Sequence, residues 1–333
     1  MTRRGFLAAA SLAAAASPER STLGFTPDSF AVLRPPRTAL EFLDLAHSVG
    51  AGGVQATLAS FDPEYLKKVR QKAEDLNMYL EVLVALPGPD TSEFDKTLGA
   101  AREAGALCIR SVCLIGRRYE TFPTLEAWNT FVAESKAKLA RAVPIAERHR
   151  MPVGIENHKD WTVEEMVPLL KSYSSQYLGA CIDFGNNLSL LDDPMELVEG
   201  LAPFVINTHI KDMAVEESAD GFLMSEVPLG DGILDLKRMV EVVRKHKPDV
   251  RFSLDMLTRD PLKIPCLTQK YWVSFPDRNG KYMARTLAMV RANKPTQPLQ
   301  RLTGLPRDQQ LAIETEYLKH SLWYAREQLG LRA

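Results

Sequence analysis

Met151-Pro-Val-Gly-Ile-Glu156-Asn157-His158 joins an apolar run to an ionisable tip. Pro152 to Ile155 reads as a short buried strand, and a carboxylate, an amide and an imidazole follow at its end. An apolar run closing on a polar side chain is how a barrel strand carries a ligand to the top of a sheet. Three later stretches repeat the pattern. Leu178-Gly-Ala-Cys-Ile-Asp183 closes on Asp183, Phe204-Val-Ile-Asn-Thr-His209 on His209, and Val250-Arg-Phe-Ser-Leu-Asp255 on Asp255.

Outward from these four, apolar runs start near residues 23, 53, 79 and 108, and helical patterns fill the gaps. Thr38 is placed to cap a helix through Ser48, and Asp62-Pro63 opens another to Leu76. Thr91 to Ala104 and Leu125 to about His149 read as helices. Thr162-Val-Glu-Glu165 has the capping-box spacing, and Asp192-Asp-Pro194 starts the helix after it. A helix over 281–292 closes the series, and Pro306 to Gln328 forms one further amphipathic helix. Eight strands alternating with helices predict an α/β chain folded as a single (β/α)8 TIM barrel over 22–292, with a helical extension over 293–333. The longest loops follow strands four (Cys113 to Pro123), seven (through Gly230-Asp-Gly-Ile-Leu-Asp235) and eight (Met256 to Arg278). They fall on the catalytic face, where long loops are usually functional.

Hydrophobic residues make up 45% and charged residues 25% of the 333, ordinary for a globular protein. A net charge of -1 argues against a sequence-independent nucleic-acid binder, which needs a basic surface. Thr2-Arg3-Arg4-Gly5-Phe6-Leu7, an apolar run and Ala14-Ala15-Ala16 read as a twin-arginine-type signal over 1–17. That predicts an exported, periplasmic protein; a frayed alanine-rich helix is the plainer alternative. The run is too short to span a bilayer, and no stable membrane anchor is expected. Cys108, Cys113, Cys181 and Cys266 lack CxxC spacing, so buried free thiols are expected ahead of a disulfide.

Glu156, Asp183, His209 and Asp255 make a set of three oxygens and one nitrogen. Such a set suits one divalent ion, Mn2+ first, with Mg2+, Co2+ or Zn2+ as alternatives. Taken singly, each residue could equally be a helix cap or half of an ion pair. A cation there would polarise a hydroxy-carbonyl compound and stabilise an enediolate. Glu156 is then the first candidate base and Asp255 its partner on the opposite face. Arg110, inside the fourth strand, could bind a substrate anion or pair with Glu81. His158, Lys159 and Lys211 follow strand ends and are candidate substrate contacts. Asp212 could instead cap a loop, and Arg259 could close over an anionic ligand. Trp161, Tyr271 and Trp272 could stack on a sugar ring, although aromatics in long loops more often pack them down.

The chain resembles the xylose-isomerase-like barrel superfamily, in its sugar phosphate isomerase/epimerase branch. Gly154-Ile-Glu-Asn-His158, Asp183-Phe-Gly-Asn186, His209-Ile-Lys-Asp212 and Gly230-Asp-Gly-Ile-Leu-Asp235 carry the resemblance across roughly residues 22 to 292. It implies a single Mn2+-type site at Glu156, Asp183, His209 and the strand-eight acid. In the ketose 3-epimerases of that family the first and last carboxylates are the acid/base pair. Two positions depart from them. The strand-eight acid is Asp255 rather than Glu, and Asn186 stands where the epimerases carry a substrate-binding His. The expected activity is a metal-dependent isomerase or epimerase of a keto-sugar. A lyase (dehydratase or decarboxylase) on a keto-sugar acid is the alternative, and a non-catalytic sugar-binding barrel the third reading. The expected partner is a small carbohydrate, not nucleic acid; the superfamily's zinc DNA-repair nucleases need several histidines at the mouth. Of six here, His47, His149, His246 and His320 fall on helices. A homo-oligomer is left open.

Overall fold

The computed structural model describes residues 20–34 and 38–332. The stretch read as an export signal lies outside the described residues. The chain opens with β1 (Gly24–Phe25), α1 (Ala39–Ser48), β2 (Gly53–Ala56), α2 (Pro63–Asp75), β3 (Tyr79–Leu83) and α3 (Ser92–Glu103). It continues through β4 (Ile109–Ser111), the single turn α4 (Arg118–Thr121), α5 (Leu125–His149), β5 (Val153–Glu156), α6 (Val163–Tyr173), β6 (Leu178–Asp183) and α7 (Pro194–Leu201). After β7 (Val205–Ile210) come β8 (Asp212–Ser218), β9 (Gly221–Val227), α8 (Leu236–His246), β10 (Phe252–Leu254) and β11 (Leu262–Ile264). The short α9 (Gln269–Trp272), then α10 (Gly280–Ala292) and α11 (Arg307–Gln328), complete the chain.

Strands β1 to β7 and β10 close into a parallel barrel in the order β1-β10-β7-β6-β5-β4-β3-β2. Helices cover it, as the alternation predicts. Local chemistry sets several helix starts. Asp62 accepts the backbone N–H groups of Glu64 and Tyr65 at 3.0 and 3.2 Å. Asp193 does the same for Met195 and Glu196 at 2.9 and 3.0 Å. Glu165 reaches back to the Thr162 N–H at 2.9 Å, as its capping-box spacing predicts. Thr38 stands at the N-cap of α1, but its hydroxyl goes to Glu41 Oε2 (3.0 Å) rather than to the backbone.

Period-two alternation turns Val153 and Ile155 of β5, Ile182 of β6 and Thr208 and Ile210 of β7 away from the polar series that faces the barrel axis. Register then aligns that series. Asp183 lies beside His209, His209 beside Ser253, and Gln55 beside Glu81. Gly154 on β5 has a packing reason: a Cβ there would collide with the Asn207 side chain crossing the interior.

The segments expected as open loops are more ordered than that. After strand seven, β8 and β9 form an antiparallel hairpin, and β11, from the segment after β10, pairs with β9. Val215, Phe222 and Met224 are buried, which is what holds this small sheet against the barrel. Asp255 lies one residue past β10, still bonded through its N–H to Ile210 O at 3.1 Å. The C-terminal helix α11 buries Glu314, Leu318, Ser321, Leu322 and Ala325, so its inner face includes a carboxylate and a hydroxyl. Glu314 accepts the N–H groups of Val32 and Leu33 at 2.6 and 2.9 Å, tying the extension to the segment after β1. All four cysteines are free, with Cys108, Cys181 and Cys266 buried. Among the described residues no helix is long and apolar enough to cross a membrane.

Candidate metal centre

The four strand-end residues converge. One ligand atom from each of Glu156, Asp183, His209 and Asp255 lies within 4.8 Å of the others. His209 Nδ1 is 3.3 Å from Glu156 Oε2, 3.7 Å from Asp255 Oδ2 and 3.9 Å from Asp183 Oδ2. All four side chains are buried; His209 Nδ1 has no hydrogen-bond partner, and Asp183 Oδ2 has only the Lys211 ammonium beside it. Buried polar atoms without partners are rare in folded chains. Here the orphaned nitrogen faces a space ringed by three carboxylates, which fits a divalent cation held by three oxygens and one nitrogen.

A network below the ligands orients them. Gln55 Nε2 donates to Glu81 Oε2 at 2.7 Å, and Asn207 Nδ2 donates to the same oxygen at 2.9 Å. The Gln55 amide is thereby turned so that its Oε1 accepts His209 Nε2–H at 2.8 Å. With its proton on Nε2, His209 presents the Nδ1 lone pair to the carboxylates. Asp183 Oδ1 accepts the N–H groups of Gly185 and Asn186 at 2.9 and 2.7 Å. Asn157 closes a reciprocal pair with the Asp183 backbone, accepting its N–H at 2.8 Å and donating to its carbonyl at 2.9 Å. Asp255 Oδ1 accepts Thr26 Oγ1–H at 2.7 Å.

Cations offset the acids. Arg110 Nε donates to Glu156 Oε2 at 2.6 Å, and its Nη2 reaches the same atom. Arg110 therefore pairs with Glu156, not with Glu81, whose Oε2 is already taken by two amides. Lys211 Nζ bridges Asp183 Oδ2 (2.8 Å) and Asp255 Oδ2 (2.7 Å). Burial pushes the Asp255 carboxyl up, but Lys211 and His209 outweigh it and hold the group below the usual range. For Asp183 burial wins over Lys211, and its pKa is raised. Glu156 is buried too, yet Arg110 and His209 hold it well below the usual range.

The remaining candidates divide. Asn186 stands inside the site, donating to Glu156 Oε1 at 3.0 Å and accepting from Lys159 Nζ and, at 3.4 Å, from Lys211 Nζ. Lys159 is buried and adopts a left-handed backbone (φ 62), which is costly for a side-chain-bearing residue and favours functional positions. The His158 ring contacts Leu114 O through Nδ1 (2.9 Å), and burial pushes its pKa down to about 4, leaving it neutral. Arg259 is held away from the acids by Glu226 of β9, at 2.6 and 3.3 Å. Asp212 is a loop clamp. Its carboxylate accepts the N–H groups of Gly230 and Gly232 at 3.0 Å and of Leu234 at 3.1 Å. The aromatics pack: Trp161 against Trp128, and Tyr271 stacked on Tyr119 and Phe275.

Gln55, Glu226, Thr26 and Asn157 were not singled out in the sequence, nor was Arg118. One signal was available for Asn207: it and His209 are spaced by two on the inward face of β7, and Lys211 follows in the same phase one residue past its end. Arg118 is wholly buried, with its guanidinium carbon 3.5 Å from the Trp128 ring centre and 4.1 Å from that of Phe275. It also donates to Glu165 at 2.6 Å, to Asp160 O at 3.1 Å and to Ser274 O. One side chain thus ties together the segments after strands four, five and eight.

A parallel barrel with a buried acid-and-imidazole cluster at its strand ends is a scaffold with a cluster consistent with a divalent metal site. The profile described as xylose isomerase-like TIM barrel matches residues 43–274, and the chain belongs to that family. It is 30% identical over 207 residues to a 3-oxo-isoapionate decarboxylase of Pectobacterium atrosepticum, a match covering 60% of this chain and 71% of that protein. In fold it is similar to a D-psicose 3-epimerase (TM-score 0.59, 14% identity, 93% of this chain and 99% of that one). It is similar again to the IOLI protein with a binding zinc atom (TM-score 0.53, 16% identity, 82% of this chain and 99% of that one).

Proposed function

We propose that this chain is a divalent-metal-dependent lyase that removes CO2 from a 3-oxo sugar acid. The observation that carries the reading is Lys159. Its ammonium is buried beside the ligand cluster, yet it meets only the neutral Asn186 amide, while the two neighbouring acids are taken by Lys211. Burial and the Lys211 charge bring its pKa down to about 8. A buried cation without an acid partner is costly, and a substrate carboxylate removes that cost. The 30% identity to a 3-oxo acid decarboxylase supports the same substrate chemistry.

Glu156, Asp183, His209 and Asp255 are the residues that would hold the cation, for which Mn2+ is the first candidate and Mg2+, Co2+ and Zn2+ the alternatives. When bound, it supplies Lewis acidity to a substrate carbonyl. The chain's own residues do the rest. Lys159 Nζ receives the substrate carboxylate and Arg110 keeps Glu156 in place. The bond between the carboxyl carbon and the α-carbon breaks, its electron pair passes toward the ketone oxygen, and CO2 leaves. Lys159 Nζ–H then returns a proton to the α-carbon and is reprotonated from solvent.

Isomerisation or epimerisation is the second reading. It is favoured by the two carboxylates, Glu156 and Asp255, that approach His209 Nδ1 to 3.3 and 3.7 Å from well-separated strands. Both oxygens of Glu156 and both of Asp255 are already engaged by Arg110, Asn186, Lys211 and Thr26, and a proton-transferring pair would have to surrender those bonds. Supplying metal-loaded protein with 3-oxo sugar acids and with ketoses in deuterated water separates the two. CO2 release that falls at least 100-fold in Lys159→Met supports the lyase. Deuterium uptake by ketoses without any CO2 release sinks it.

A further inference from the structure

Away from the ligand cluster, a cavity of about 470 Å3 lies between the segment after β1, the turn after β10 and the start of α11. Arg34, Arg259 and Arg307 line it, together with Thr258, Asp260 and Thr303. Its walls are fixed from behind by carboxylates that are already satisfied. Glu314 holds the Val32 and Leu33 N–H groups, and Asp260 accepts those of Leu302 and Thr303 at 2.5 and 3.0 Å as well as the Thr303 hydroxyl. Arg34 itself has a left-handed backbone (φ 55), an arrangement that persists only where the surroundings impose it.

The charges on this cavity do not balance. Arg259 spends Nε and Nη2 on Glu226, which leaves its Nη1 edge. Among the described residues neither Arg34 nor Arg307 has an ion pair or a side-chain hydrogen bond. The Asp260 carboxylate is occupied by three donors. Three guanidinium groups from distant parts of the chain therefore line one space with a single lining acid, Asp260, itself engaged; Glu314, behind the wall, feels the Arg307 charge and already accepts two backbone N–H groups. Thr258 Oγ1, a hydroxyl of a buried side chain on the same wall, also lacks a partner. Planar guanidinium groups match oxyanions in pairs, and the volume falls in the range of small-molecule sites.

We propose that this cavity is a second binding site, separate from the metal centre, for a small molecule bearing a phosphate or carboxylate group. Arg259 belongs to both regions, because it holds Glu226 and also lines the cavity. The site requires no metal and no turnover, so its test is independent of the lyase reading.

Calorimetric titration of the full chain with inorganic phosphate, and separately with malonate, at fixed ionic strength provides the test. Saturable one-to-one binding of either anion is expected, weakened at least tenfold by Arg34→Ala and by Arg307→Ala and unchanged in Lys159→Met. The tighter anion names the head group. Both arginines are exposed, so neither variant endangers the fold. Binding that survives both arginine variants, or that disappears in Lys159→Met, overturns the proposal, as does the absence of saturable binding.

Discussion

Gln55 does for His209 what no metal ligand can do for itself: it fixes which nitrogen carries the proton. Replacing Gln55 by Leu removes the acceptor at 2.8 Å and frees the ring to turn or change tautomer. Losses of this kind weaken metal affinity by about 10–100-fold, and a competition titration against a chelator of known affinity would measure it. Asp160 offers a pH-dependent counterpart away from the ligands. Its Oδ1 accepts the His158 and Trp161 N–H groups at 3.1 and 2.8 Å, while Oδ2 has no partner. Burial raises its pKa from 3.8 to about 7. The folded state therefore holds this proton more tightly than the unfolded chain, and stability from this source falls as pH rises between those values. Asp160→Asn keeps the two acceptor contacts and removes the titration. Denaturant unfolding at pH 4, 5.5 and 7 should show a flatter pH dependence in the variant than in wild type; equal slopes would refute the assignment. At this scale the sequence was informative where a ligand closes an apolar run, as at Glu156 and Asp183. It was silent where the partner sits within a strand, as at Gln55 and Asn207, since a single polar residue inside an apolar run looks like an interruption until the neighbouring strand is known.

The elements around the mouth are held by buried charges as much as by apolar packing. Arg118 joins α4 to Glu165 on α6 and to Ser274, with Trp128 of α5 beneath it. Arg118→Met keeps much of the stacking and loses the bonds. Hydrogen exchange should then quicken in residues 113–123 and 266–278 together, while β5 to β7 keep their protection; protection lost throughout would mean the residue serves the whole fold. Glu314 is the analogous tie for α11. Glu314→Ala leaves two backbone N–H groups without acceptors, about 1–3 kcal/mol each if they stay buried, to be read from the denaturation midpoint. The hairpin of β8 and β9, with β11 beside it and the single turns α4 and α9, stands where the sequence predicts loops. Its alternation is present in Met213, Val215, Phe222 and Met224, but the stretch between a barrel strand and Gly230-Asp-Gly is where a connecting loop is expected. Helices with a capping residue or proline at the first turn, such as α2 and α7, were legible to within a residue or two because the signal is local.

For the molecule as a whole, three carboxylates packed around one imidazole carry a cost that Arg110 and Lys211 offset only in part. A ligand that binds the folded state alone stabilises it by mass action, about 2.7 kcal/mol at a hundred times its dissociation constant. Adding Mn2+ should raise the melting temperature, and a strong chelator should lower it. Asp183→Asn should be nearly indifferent to both. A wild-type melting curve that ignores metal and chelator alike would count against the centre. The same reckoning explains why the barrel itself was easy to read and its roof was not. Eight alternations of strand and helix repeat a periodic signal, whereas the cover depends on contacts such as Arg118 with Ser274, separated by 156 residues.

That cover is one-sided. The β8, β9 and β11 sheet and the Arg118 ties draw on the segments after strands four, five, seven and eight. The connections after β2 and β3 take no part in it: the first is held by Ala59 N–H to Tyr65 Oη at 3.1 Å, and the second by Arg141 of α5, which donates to Pro87 O at 3.2 and 3.3 Å. Gly88, in the second of them, has open space where a Cβ would stand. These two turns are the places where the protein can be rewritten. Extra residues grafted near 60 or 88 should leave the fold standing and alter which molecules reach the mouth, whereas the same graft near 260 or 270 would pull apart the lattice of bonds above it.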